Sequence, residues 1–322
     1  MSMLDPVVLF FLLGVIGGLS KSGLKIPESF YNVLSIYLLL SIGIKGGIEL
    51  YHSEAEKVLW PAIVTILLGI LICILAWQYL ERIGKFSTAD AIAMAAHYGS
   101  VSAVTFAVVL SFLRDRGIAY EEFVTVLLVL MEIPAIAFSI FVYKIIRKDP
   151  STKVSWRAVG HEIFLGKSML LLLGGMMIGF FTGWQENEQL HSFFFGMFKG
   201  FLAIFMLEMG VVTSSRLSDL KKVGPFLIVF GITMPIIAGV LGVVGGWIAG
   251  MSQGGTIILA TLAASASYIA APAAIKMAIP EANPTLYLTT PLGITFPFNI
   301  IAGISLYYHL TEVFFRTYPS LF

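Results

Sequence analysis

An all-α integral membrane protein, with ten transmembrane helices in two inverted five-helix repeats, is the fold class this sequence predicts. Three observations carry it. Hydrophobic residues make up 58% of the 322 positions and charged residues only 12%, with a mean hydropathy of +0.91. A soluble domain carries roughly a quarter charged residues. The apolar residues fall into ten runs close to the roughly 20 residues that a bilayer-spanning helix needs. Landmarks of the first half then recur in order in the second, at offsets of 163 to 168 residues.

The first run, 6–23, follows a start without the positive region or small-residue cleavage site of a signal peptide, so it is expected as a retained span. The second, 28–49, opens on Pro27-Glu28-Ser29, a helix start with its acid in the first turn. The third, 58–80, holds Cys73; as the single cysteine it excludes an intrachain disulfide and a cysteine-based metal site. The fourth, 88–112, is interrupted by Ala96-His97-Tyr98-Gly99-Ser100-Val101-Ser102-Ala103, and the fifth, 121–145, contains Glu132-Ile133-Pro134. Runs six to eight lie at 165–184, 192–214 and 223–249, with Glu208 deep in the seventh. The ninth, 254–277, is interrupted by Ser265-Ala266-Ser267-Tyr268-Ile269-Ala270-Ala271-Pro272, and the tenth, 284–311, carries Thr295 and Asn299.

Charge gives the sides. The stretch after run five holds Lys144, Arg147, Lys148, Lys153 and Arg157, with Lys167 beyond it, whereas Trp184-Gln185-Glu186-Asn187-Glu188 holds no Lys or Arg. Ten crossings put 14 of the 20 Lys and Arg on the side of the central stretch and six on the other. The positive-inside rule then makes the central stretch cytoplasmic and both termini external, as in a multi-pass protein of a bacterial inner membrane. The net charge of +1 leaves no basic footprint for nucleic acid.

Gly43 aligns with Gly210 at an offset of 167, the polar interruptions align at 168, and Glu132-Ile133-Pro134 aligns with Thr295-Phe296-Pro297 at 163. Five spans per half is an odd number, so the second half enters the membrane from the opposite side. The halves are residues 1–148 and 165–322, joined by a cytoplasmic connection at 149–164. Matched polar breaks in two such halves point to the substrate site of a secondary transporter, where discontinuous helices four and nine cross near the midplane.

A helix interrupted at Gly99, Ser100 and Ser102, or at Ser265 and Ser267 before Pro272, presents free N–H groups at a new N-terminus, which favours an anion. The freed carbonyls at the opposite end suit Na⁺, a hard cation that takes oxygen ligands. The same small residues also serve close helix packing in membranes. Glu132 is a membrane-embedded carboxylate, a functional candidate by default that ligates Na⁺, carries a proton or pairs with a hydroxyl. Glu208 poses the same question, with Lys199 and Ser35 as possible partners. Thr105, Thr295 and Asn299 are oxygen donors near the crossing. Tyr98 and Tyr268 line the site or pack beside it, and His97 is expected as a hydrogen-bonded core histidine rather than a metal ligand.

The chain resembles the cyanobacterial-type sodium-dependent bicarbonate transporters, the SbtA family, as a divergent member. The shared segments are Ile26-Pro27-Glu28-Ser29, Ile42-Gly43 with Gly46-Gly47, and the string from Ala96 to Ala103. Met131-Glu132-Ile133-Pro134-Ala135, Met209-Gly210, Ala278-Ile279-Pro280 and Ala282-Asn283-Pro284 match as well. The resemblance implies a core domain and a gate domain, a homotrimer, Na⁺-coupled uptake of bicarbonate and an elevator-type movement. No other cofactor is implied, and some members bind a PII-like cytoplasmic regulator. It places the anion between the breaks, at Gly99, Ser100, Val101 and Ser102 with Ser265, Ser267, Tyr268 and Ile269. The cation is expected among Tyr98, Thr105, Glu132, Ala266, Thr295 and Asn299.

The second break departs from the family pattern: Tyr268 stands where relatives carry an aspartate, and Ala270-Ala271-Pro272-Ala273-Ala274 replaces a Gly-Pro-Pro stretch. Glu132 likewise replaces an aspartate but keeps the charge. A Na⁺- or H⁺-coupled carrier of another small carboxylate or organic anion is therefore the alternative, and a membrane sensor or scaffold without transport a second. An enzyme is not expected: the chain has no paired aspartates, no His-Glu-x-x-His and no Gly-x-Ser-x-Gly.

Overall fold

In a computed structural model the chain is helical throughout the residues described, 5–24, 26–147, 156–183, 188–217, 219 and 223–318, with no strand among them. The basic residues Lys148 and Lys153, the start of the chain at 1–4 and most of the Trp184–Glu188 connection lie outside the described residues.

Seven helices are long and apolar enough to cross a membrane: α2 (Glu28–His52), α3 (Ala55–Ile83), the interrupted pair α4 (Thr88–Gly99) and α5 (Ala103–Arg114) taken as one, α6 (Val124–Arg147), α9 (Gln189–Leu217), α10 (Pro225–Ile248) and α13 (Pro284–Thr317). An eighth is formed if α7 (Trp156–Leu165) and α8 (Lys167–Thr182), bent by 46° at Gly166, act together. Two shorter apolar helices, α1 (Pro6–Leu19) and α11 (Gln253–Ala263), complete the set with α12 (Ala270–Ala278).

Local chemistry sets the helix starts. The Asp5 carboxylate accepts from the Val7 N–H at 2.8 Å beside Pro6, the Ser87 hydroxyl from Asp90, and the Asn283 side chain from Thr285 at 3.0 Å. Each satisfies one amide that the first helical turn leaves free. α2 begins at Glu28 behind Pro27, as the sequence suggests.

The helices pack in two groups. In one, α1 lies along α9 and α2 along α8. Small residues one turn apart make both contacts close. A Cβ on Gly14 or Gly210 would strike the backbone of the facing helix, and the same holds for Gly43 and Gly47 against α8 and for Gly179 against α2. Side chains this small let backbones touch, which drives association where lipid offers no hydrophobic gain. The aligned pair Gly43 and Gly210 therefore marks helix contacts. In the second group α3 packs on α4 and α6, and α10 on α11 and α13. The exposed large side chains, Leu59, Leu67, Ile178 and Phe181 among them, lie on outward faces, as expected of surfaces solvated by acyl chains.

Candidate binding site at the crossing of two broken helices

α4 ends at Gly99 because the next residues turn extended; Ser102, at φ −110° and ψ 112°, then caps α5 by accepting from the Thr105 N–H at 3.1 Å. Gly99 admits no side chain, since a Cβ there would lie 2.7 Å from Cys73 Cβ and 2.8 Å from Ala135 Cβ. α11 ends at Ala263, and the chain resumes its helix at Ala270, with Pro272 in the first turn where its missing N–H costs nothing.

The two breaks are bonded to each other. The Ser102 N–H donates to Ser265 Oγ at 2.9 Å, and the Ser267 N–H to the His97 carbonyl at 2.8 Å. His97 Nδ1 lies 2.7 Å from the Ser267 carbonyl. A carbonyl only accepts, so Nδ1 carries the proton and His97 and Ser267 exchange two bonds. The His97 ring stacks on Tyr287 with centroids 5.1 Å apart. Two amides, one from each break, that would otherwise be stranded are satisfied in this way, each bond contributing roughly 1 kcal/mol.

A second network braces the crossing from α13, whose regular turn gives way to wider turns at Pro291–Thr295 and Asn299–Gly303. Tyr98 Oη and Thr295 Oγ1 are 2.6 Å apart, and Thr295 donates onward to the Gly231 carbonyl at 2.8 Å. Asn299 Nδ2 donates to the Ala264 carbonyl, freed at the end of α11, while its Oδ1 accepts from Tyr307. Of the residues expected near a cation, Tyr98, Thr295 and Asn299 are thus joined to partners in the protein.

Beside the crossing lies a cavity of about 10 Å³, room for about one water. Val101, Ser102, Ser267, Tyr268, Ile269 and Glu132 line it, together with Ala103 at the start of α5. Gly99, Ser100, Ser265 and Ala266 belong to the breaks but not to its wall. The N-terminal ends of α5 and α12 both face it, two positive dipole ends. Glu132 is 5% exposed and its Oε2 has no hydrogen-bond partner; the hydroxyls of Ser100, Thr105 and Tyr268 are also buried without one. Glu132 forms no ion pair among the described residues.

Three wall residues escape sequence reasoning: Leu39 on α2, and Ser168 and Leu172 on α8. They come from the other helix group, and a lone serine in the apolar run 165–184 is a faint signal. Leu39, Ser168 and Ile269 also line a vestibule of about 300 Å³, reached past Asn32 and Lys167, so they separate it from the inner cavity. A larger vestibule of about 540 Å³ lies at the other end of α2, around Lys45, Glu49 and Arg114. The outer ends of the broken helices are tied down: Asp90 accepts from the Asn283 N–H at 2.7 Å, and Glu121 accepts from the N–H and hydroxyl of Ser252, the cap of α11.

No group of three or more His, Cys, Asp or Glu stands close enough to hold a metal ion among the described residues. Comparison with curated proteins finds no match. The family model of the Na⁺-dependent bicarbonate transporter superfamily matches residues 6–312, nearly the whole chain, and the protein belongs to that superfamily.

Proposed function

We propose that the protein is a Na⁺-coupled bicarbonate symporter that works by sliding one helix group against the other. The observation that carries this is the shared cavity: two helix N-termini and the hydroxyls of Ser102 and Ser267 meet there with the partnerless carboxylate of Glu132. The N-termini and hydroxyls suit a small oxyanion. Glu132 and nearby hydroxyl oxygens suit Na⁺, and each ion screens the other's charge in a site without basic side chains in its wall. Membership of the superfamily supports Na⁺ and bicarbonate as the two ions. The cavity is smaller than a carbonate-sized anion, as expected of a closed state between two vestibules.

Ten crossings follow if α1, the α7–α8 pair and the α11–α12 pair each count as one beside the seven long spans. The inverted repeat is supported by the pairings. Under the exchange of first and second halves, the contact of α1 with α9 maps onto that of α8 with α2, and α3 with α4 onto α10 with α11. In this assignment the α1–α2–α8–α9 group is the gate and the remainder the moving core. The family also suggests a homotrimer and a cytoplasmic regulator.

A second reading keeps the mechanism and changes the cargo. Tyr268, Ile269, Leu39 and Leu172 give the cavity an apolar side, which favours a carboxylate with a small hydrocarbon tail. Uptake of labelled bicarbonate into proteoliposomes, with and without an inward Na⁺ gradient, tests the proposal. Na⁺-driven accumulation is expected. Accumulation of a short-chain carboxylate but not of bicarbonate selects the second reading, and no transport of either anion refutes both.

A further inference from the structure

The vestibule of about 540 Å³ has a wall whose charge differs from that of the face it opens on. By the ten-crossing topology that face carries six Lys and Arg against ten Asp and Glu, and so repels anions at long range. Three of the six bases, Lys45, Arg114 and Lys199, line this one cavity, whereas Glu49 is its sole acid among the described residues. Lys45 is held by Glu49 at 3.3 Å and Lys199 by Asp115 at 2.6 Å. Arg114, exposed at the last turn of α5, makes no salt bridge within 4 Å among the described residues, although the Glu49 carboxylate of the same wall lies within reach of its charge.

The cavity is also continuous in sequence with the inner site. Along α2, Leu39 lines the inner cavity, Ile42 an intermediate apolar gap, and Lys45 and Glu49 the vestibule. Along α5, Ala103 lines the inner cavity, Ala107 the gap, and Leu110, Ser111 and Arg114 the vestibule. Positions three and four apart share a helix face, so one seam between α2 and α5 joins both cavities.

We propose that this vestibule is a second, outer binding site for small oxyanions, an antechamber in which Arg114 collects the anion before it passes down the α2–α5 seam. This rests on the transport function proposed above. Arg114 offers a planar fork of donors that fits a planar oxyanion on two oxygens. One unit charge some 8 Å from an anion in a water-filled cavity changes its local concentration about two- to threefold at low salt. At high salt the effect vanishes, because the screening length falls to about 3 Å at 1 M.

The test has two arms. In intact cells, initial uptake of labelled bicarbonate is measured at fixed Na⁺ and low ionic strength, then with added potassium gluconate. Arg114→Gln is expected to raise the half-saturating concentration about two- to threefold and Arg114→Glu about fivefold or more, with the maximal rate kept and the differences erased at high salt. Lys57→Gln, an exposed cation on the same face paired with Glu54, serves as the control and is expected to match wild type. Unchanged half-saturation in both Arg114 variants, or a rise that persists at high salt, overturns the antechamber.

The second arm needs no transport. In the purified protein, nitrate, a planar oxyanion, is expected to slow phenylglyoxal modification of Arg114 relative to chloride at equal ionic strength, and to leave Arg316 unaffected. Equal rates in nitrate and chloride overturn the site even if bicarbonate is carried. Protection of Arg114 in a protein that carries no bicarbonate upholds the site and refutes the functional reading instead.

Discussion

Glu132→Gln separates the cost of a buried charge from its use. Glu132 is buried with Oε2 unpartnered and without an ion pair among the described residues, so in the absence of a cation its charge opposes folding. Gln keeps the shape and removes the charge. Without Na⁺ the variant is therefore expected to be as stable as the parent, or more stable by about 1–3 kcal/mol, the desolvation penalty of an unsatisfied polar group. With Na⁺ the order changes. A ligand at about a hundredfold its Kd stabilises the folded state by about 2.7 kcal/mol. A carboxylate against a cation at about 4 Å gains about 4 kcal/mol at an effective dielectric of 20. If desolvation takes half of that, its loss weakens Na⁺ about thirtyfold, and the stabilisation falls to about 0.9 kcal/mol. Thermal unfolding in nanodiscs, with NaCl against choline chloride at equal ionic strength, reads both quantities, and Glu132→Asp should keep most of the Na⁺ effect. A folded Glu132→Gln protein that retains the full Na⁺-induced shift would refute the assignment of Glu132 to the cation.

Further outcomes follow from particular contacts. Ser102→Ala removes the α5 cap and a cavity hydroxyl; it should cost about 1 kcal/mol in unfolding and abolish most transport. Ser102→Gly should recover nearly all of the stability and none of the transport, because glycine is a tolerable cap; wild-type uptake in either variant removes Ser102 from the site. Gly47→Leu forces a side chain into the α8 backbone beside Met176 and Phe180, whereas Gly174 faces open space. The first should cost about 3 kcal/mol or more in thermal unfolding and Gly174→Ala almost nothing. Glu121→Ala and Asp90→Ala each release one tied helix end. About 1–2 kcal/mol of stability should be lost in each, with faster amide exchange confined to 252–256 in the first and 283–285 in the second.

The membrane fold and the positions of both interruptions were legible because each rests on a local rule: apolar runs of span length, and small polar residues where a helix cannot continue. The starts of α2 and α5 follow from Pro27 and Ser102 for the same reason. Other features depend on distance in space. Gly43 and Gly210 aligned as repeat landmarks, but that each presses on a facing backbone is fixed only once α2 meets α8 and α1 meets α9. Tyr98, Thr295 and Asn299 are oxygen-bearing side chains in suggestive places, and the sequence holds no sign that they bond to one another, to Gly231 or to Ala264. Ser168 is the hardest to read: its significance comes wholly from lying opposite Ser267 and Glu132 across a helix-group boundary. The bend at Gly166 likewise places a helix, Trp156–Leu165, in a stretch whose charge suggests only a connection.

The bonds at the crossing constrain how the cavity can open. His97 and Ser267 hold each other by two bonds, and Ser102 holds Ser265, so neither break can unwind without exposing amides inside the protein. Asn299 and Tyr98 tie the same region to α13, while Asp90 and Glu121 fix the outer ends. The breaks and α13 are therefore one hydrogen-bonded unit, with α6 packed against α4. The cavity wall opposite them, Leu39, Ser168 and Leu172, belongs to helices joined tightly to each other at glycines and meets the breaks chiefly through apolar side chains. Contacts of that kind have no preferred register and can be exchanged at small cost, whereas the hydrogen bonds on the other side cannot. The sliding motion proposed above keeps these bonds and exchanges mainly apolar contacts at the cavity, while the directional links it has to break include Lys199 to Asp115, Lys45 to Tyr120 and Thr213 to the Leu292 carbonyl.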